Sequence, residues 1–108
     1  MSTKINVAIA GGAGYTGGEL IRLLLHHPSA HLVSIVSQSG AGMPLGSVHH
    51  DLEEETDLTF EEELPHKDID VLFLCLGHGR SRDYLGRHNT ESIGHIIDLS
   101  QDFRHTGN

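Results

Sequence analysis

The chain has 108 residues, 7 of them Lys or Arg and 15 Asp or Glu, for a formal net charge of −8. That length allows one domain with a modest core, and the acidic balance argues against a nucleic-acid partner, because phosphate backbones are met by clustered cations. No apolar run has membrane-spanning length and no signal-peptide pattern opens the chain, so it reads as a cytoplasmic protein without a membrane partner, and the lone Cys75 excludes an internal disulfide.

Lys4 to Ala10 is expected to be the first strand, with Ile5, Val7 and Ile9 on one face and small Ala8 and Ala10 on the other. Gly17 to His27 reads as a helix whose apolar stripe is Leu20, Ile21, Leu24 and Leu25, and Pro28 stops it. His31 to Ser37 is a second strand, rich in β-branched residues. Gln38 to Pro44 is a glycine-rich loop, and Leu58 to Phe60 a short extra strand. The acidic blocks Asp51 to Glu55 and Glu61 to Glu63 read as solvated connection.

Asp70 to Leu76 is apolar on both faces, as a central parallel strand must be. Gly77-His78-Gly79 turns into a short helix, Ser81 to His88, and Ile93 to Leu99 is the last strand. The order β-α-β-(β)-β-α-β is that of a partial, Rossmann-like doubly wound parallel sheet, an α/β domain covering residues 1–108. With no helix after its last strand, the chain reads as cut from something longer. The ten histidines are scattered, without zinc-ligand spacing, and read as surface residues, so no metal is expected.

Chemistry concentrates at the strand ends. Gly11-Gly12-Ala13-Gly14-Tyr15-Thr16-Gly17 follows the first strand and opens the first helix. A glycine-rich turn with few β-carbons to block the approach, feeding helical N–H groups that point at an anion, cradles a dinucleotide pyrophosphate. Here Gly11 makes the tight turn, Gly12 and Gly14 let the backbone approach phosphate, Gly17 permits close helix–strand packing, and Tyr15 and Thr16 face the ligand.

The end of the second strand is Ser37-Gln38-Ser39, where an NAD-selective site places a carboxylate. With no carboxylate to repel a 2′-phosphate, NADP is favoured and NAD remains possible. Leu76-Gly77-His78 lies at the same sheet edge and is read as cofactor contact without chemistry. Cys75 sits inside an apolar strand and reads as buried and inert, so no catalytic residue is assigned.

These residues resemble a known family. Gly11 to Leu20 is similar to the opening of the N-acetyl-gamma-glutamyl-phosphate reductases, and Ser37 to Gly42 to their cofactor-selecting loop. Phe73 to Gly79 is similar to the strand that family ends in a His-Gly turn, and Ile97 to Arg104 to its D-L-S-x-D-F-R segment. One departure is Gln38, which stands where many relatives carry a basic residue.

The resemblance implies an NADP-dependent acyl-phosphate reductase of arginine biosynthesis, in which a cysteine thiolate attacks the acyl phosphate and hydride from NADPH reduces the thioester. It implies that this chain supplies the cofactor's seat, with Ser100 at the cofactor and Ser100 and Arg104 in the wall near the substrate. No residue here matches the family's nucleophilic cysteine or catalytic histidine, so the substrate and catalytic domain is absent and the fragment alone is expected to be inactive. The full enzyme is expected to take a small acyl phosphate and to be a homo-oligomer. Two alternatives remain open: a stand-alone NAD(P)-sensing module, and a sister enzyme acting on aminoadipyl or aspartyl phosphate.

Overall fold

The computed structural model describes residues 4–11, 15–37, 40–52, 56, 58–64, 69–76 and 93–99. Strand β1 (Ile5–Ala10) leads to helix α1 (Tyr15–Leu25), strand β2 (Ala30–Val36), the single-turn helix α2 (Leu45–Val48), strand β3 (Val71–Leu74) and strand β4 (His95–Asp98). The strands form one parallel sheet in the order β2-β1-β3-β4. The chain thus moves outward from β1 to β2, then crosses back to lay β3 on the other side of β1. This reversal is the switch point of a doubly wound sheet, and ligands of such folds bind at the carboxyl ends of the strands that flank it. The expected Ser81 to His88 helix lies outside the described residues.

The small–large alternation of β1 builds a core on each face. Val7 and Ile9 pack with Ile21 of α1, Leu32 and Ile35 of β2, and Leu45, Leu52 and Phe60 of the long β2–β3 connection. Ala8 and Ala10 face Val36, Ile69, Leu72 and Leu74. The register between β1 and β2 shifts between Val7 and Ala8, so that Val7 pairs with Leu32 but Ala8 with Ser34. That irregularity lets Leu32 and Ile35, three positions apart, serve the same core, which a strict period of two forbids. The expected helical stripe is present, with Ile21 fully buried and Leu20, Leu24 and Leu25 packed around it.

The structure departs from the expectations in the β2–β3 connection. Residues 58–60 do not form a regular strand. The extended segment instead makes isolated bridges, Pro44 to Thr59 antiparallel and Val36 to Glu61 parallel. Backbone bonds from Gly42 to Phe60, Phe60 to Met43 and Leu45 to Leu58 hold the loop in that form. Buried Leu45, Leu52 and Phe60 close the α1-side core from this connection, and a 3-10 turn spans His50–Leu52.

His49 corrects the reading of all ten histidines as surface residues, since it is only 9% exposed. The physical reason lies on α1. Gly18 leaves a notch in the helix surface, and a β-carbon there would stand 2.6 Å from Cε1 of the His49 ring. The ring also meets Phe60 edge-on, with centroids 6.3 Å apart and planes at 62°.

One helical turn further along the same face, Arg22 donates to both oxygens of Asp51, at 2.5 Å from Nε and 2.8 Å from Nη2, and to Glu19 at 3.1 Å. Asp51 is therefore exposed, as its block suggested, yet tied to the helix. The guanidinium holds its carboxyl near 2 instead of 3.8. A carboxyl lowered in the native state stabilises the fold fully above its ordinary range, and loses that contribution as pH falls through its native value. Acid unfolding is thus expected to be steeper between pH 3.8 and about 2 in the wild type than in Asp51→Asn, read by circular dichroism at fixed denaturant.

Candidate cofactor site at the carboxyl edge of the sheet

Gly11 closes β1 in a left-handed conformation, φ +92°, which L side chains rarely adopt. Its N–H donates to the Val36 carbonyl at 2.8 Å, while the Cys75 N–H donates to the Ala10 carbonyl at the same distance. Gly11 therefore sits across the ends of β1, β2 and β3 at once. A β-carbon on Gly11 would stand 2.3 Å from the Cys75 carbonyl oxygen and 3.2 Å from Cδ2 of Leu76. The glycine is required here on two counts, backbone conformation and space.

Helix α1 starts at Tyr15, four residues after Gly11, so its first turn opens at this edge. Thr16 is exposed and Gly17 buried. Gly11, Ser37 and Leu76 are brought together at the switch point. Gly12, Gly14, Gln38, Ser39, Gly77, His78 and Ser100, and the side chain of Tyr15, lie outside the described residues.

Ser37 takes a role that its position in the sequence did not disclose. It is buried, its N–H donates to the Glu61 carbonyl at 2.9 Å, and its Oγ accepts the Gly40 N–H at 3.1 Å. Its hydroxyl oxygen thus fastens the turn that follows β2. Ser34, three residues earlier, donates to Oε1 of Glu61 at 2.7 Å and secures the same segment. Sequence reasoning also missed Gly18 and His49. The available signal was a glycine inside a helix, which costs about 1 kcal/mol against alanine and so asks for a packing reason.

Cys75 follows β3 and is half-buried. Burial pushes its thiol up to about 11, with the negative charge of Asp98 adding to the effect. That is the opposite of an activated nucleophile, although the side chain is half-buried just past β3 where full burial inside the strand was expected. Among the described residues, no group of three or more His, Cys, Asp or Glu side chains converges as a metal site would. No described helix is long and apolar enough to cross a membrane.

The chain matches the family described as "Semialdehyde dehydrogenase, NAD binding domain" over residues 6–107. It belongs to that family. Curated relatives named N-acetyl-gamma-glutamyl-phosphate reductase include the protein of Bacteroides fragilis (strain YCH46), 52% identical over 100 residues, which are 93% of this chain and 31% of that protein. The namesake of Parabacteroides distasonis is 50% identical over 103 residues, 95% of this chain and 32% of its own length. The chain therefore spans about a third of the curated relatives it matches.

Among solved structures, the aspartate semialdehyde dehydrogenase of Candida albicans with NADP superposes with a TM-score of 0.72 at 21% identity, over 94% of this chain and 31% of the other. That likeness establishes the fold of the NAD-binding domain. The fold and family expectations hold.

Two measurements test the site's geometry. Gly11→Ala meets both a strained φ and a backbone oxygen, and is expected to cost about 2–5 kcal/mol in denaturant unfolding. Gly42→Ala is the control: its φ is +86° but nothing lies within 4 Å of the added carbon, so only the conformational cost of about 1–2 kcal/mol is expected. For Cys75, alkylation of the native protein at pH 8 is expected to run on the order of a hundredfold slower than that of a free thiol, tenfold per unit of pKa. An equal rate in native and unfolded protein would refute this burial.

Proposed function

We propose that this chain is the cofactor-binding part of an NADP-dependent N-acetyl-gamma-glutamyl-phosphate reductase, an acyl-phosphate reductase. The observation that carries the reading is the bare turn at Gly11, pressed against the end of β3 at the switch point. It fits a dinucleotide because Gly11 places no β-carbon in the approach, and because α1 starts four residues on, where a helix's first-turn N–H groups lack intrahelical partners. The reductase names of relatives near 50% identity support the substrate class.

Gly11 and the first turn of α1, including Thr16 and Gly17, would hold the pyrophosphate. Leu76 would flank the nicotinamide half, and the Ser37 turn would receive the adenosine ribose. Gly12, Gly14, Tyr15, Gln38, Ser39, Gly77, His78 and Ser100 are proposed contacts on the strength of the sequence reading. When bound, the cofactor supplies a hydride. The described residues of this chain bind and orient it, and Cys75, protonated at neutral pH, stays out of the chemistry.

NADP is preferred over NAD in this reading because the β2 end carries Ser37-Gln38-Ser39 and no carboxylate. The thiolate nucleophile and the acyl-phosphate pocket belong to a further domain of the same enzyme. A cytoplasmic homo-oligomer completes the proposal.

Calorimetric titration with NADP and NAD tests it. NADP is expected to bind more tightly, and Thr16→Glu, which sets a negative charge at the pyrophosphate, to weaken both dinucleotides about tenfold or more. A clear preference for NAD would overturn the NADP assignment, and absence of binding to either would overturn the cofactor role.

A further inference from the structure

The returning segment of the β2–β3 connection lies against the carboxyl end of β2. The Glu61 N–H donates to the Ile35 carbonyl at 2.8 Å, and the Glu61 carbonyl accepts the Ser37 N–H at 2.9 Å. Glu61 thus bridges Val36, the last residue of the strand, in parallel register. The fold brings a carboxylate to a strand end whose own residues, Ala30 to Ser37, carry none. That carboxylate does not point toward the strand's end. Ser34, 2% exposed, donates its hydroxyl to Oε1 of Glu61 at 2.7 Å. Ser34 lies two residues before Val36 on the same strand face, so the Glu61 side chain runs back along β2 toward its amino end.

The direction matters to the cofactor reading, on which this inference rests. In a switch-point site the adenosine ribose meets the end of the second strand, where a carboxylate accepts from a free 2′-hydroxyl and repels a 2′-phosphate. Ser34 lies three residues before Ser37, about 10 Å along an extended chain. That separation is roughly the Debye length of ordinary buffers, so a charge held there is largely screened from the strand's end. We infer that Ser34 is a positioning residue for cofactor discrimination: its hydroxyl holds the Glu61 carboxylate back along β2, clear of the 2′-phosphate of NADP. Without that bond the carboxylate can swing forward, and the connection then presents a negative charge beside the ribose.

The test measures Kd for NADP and NAD on the full chain in the wild type, Ser34→Ala, Glu61→Gln and the double variant, with thermal unfolding of each. Ser34→Ala frees the carboxylate and is expected to lower the preference for NADP over NAD about fivefold, the scale of one partly screened charge contact. Glu61→Gln keeps an oxygen for the Ser34 hydroxyl without the charge, and is expected to stay within about twofold of the wild-type ratio. The double variant is expected to return to that ratio, because no charge remains to swing forward. At about 1 M salt, where the Debye length is about 3 Å, the Ser34→Ala shift is expected to fall below about twofold.

If Ser34→Ala fails to fold, Glu61→Asp decides. It keeps the charge but is one methylene too short for the Ser34 hydroxyl, and is expected to shift the ratio in the same direction. A folded Ser34→Ala with an unchanged ratio, a shift that survives high salt, or a shift that the double variant retains would each overturn the inference while leaving the cofactor reading intact. A Glu61→Gln variant that gains NADP preference as strongly as Ser34→Ala loses it would overturn it too, because the charge would then already act at the ribose. A wild type that binds neither dinucleotide would overturn both.

Discussion

The ends of β1 and β3 meet so closely that a β-carbon at Gly11 would stand 2.3 Å from the Cys75 carbonyl oxygen, and the carboxyl edge is arranged around that approach. Three consequences follow from it. The chain turns there with positive φ, four residues before α1 starts. The Gly11 and Cys75 amides are spent on the Val36 and Ala10 carbonyls, so the ladder extends beyond the regular strands and the edge is rigid. And Gly11 leaves a surface of backbone at that approach, with no side chain of its own. Such a surface suits a charged ligand that must approach amide groups closely.

Packing holds that edge in place from both sides. The α1 side is thick, with Ile21 and the β2–β3 connection laid over Val7 and Ile9. The opposite side is thin near β1, where Ala8 and Ala10 allow Leu72 and Leu74 to come close. The irregular register between β1 and β2 reconciles these demands, since it turns both Leu32 and Ile35 toward α1 while Val36 faces the other way. Without it, β2 would present its large side chains alternately and the α1-side core would lose one of them. β4, by contrast, is exposed along its length at the sheet's edge, and Ile96 and Ile97 contribute little to either core.

What the sequence disclosed tracks what is local in the structure. Strand β3 was legible because a central parallel strand must be apolar on both faces, and Val71 to Leu74 are. Helix α1 was legible because Leu20, Ile21, Leu24 and Leu25 recur at helical spacing, and the switch-point turn because glycines between a strand and a helix have few other uses. Leu45 to Leu52 was not legible. Its helical turn is too short for a period, and its buried positions depend on partners far away in the chain. His49 looks like any polar loop residue until Gly18, 31 positions earlier, is seen to make room for it. Ser37 was placed correctly at the end of β2, but its bond to Gly40 and its burial come from Phe60 and Glu61 in the returning segment. Tertiary pairing of this kind leaves no periodic trace.

Gly11 and Gly18 show how one residue type answers two different demands within a single turn of chain and helix. At Gly11 the obstacle is backbone, a carbonyl that belongs to the sheet itself and cannot step aside without breaking the β1–β3 ladder. At Gly18 the obstacle is a side chain, the His49 ring, which another rotamer can move at the cost of the loop's seating. The first glycine is therefore a condition of the architecture, and a change there is felt as lost stability. The second is a condition of where the β2–β3 connection rests. The connection is held by that ring in its notch and by Arg22 on Asp51, and it closes the α1-side core through Leu45, Leu52 and Phe60.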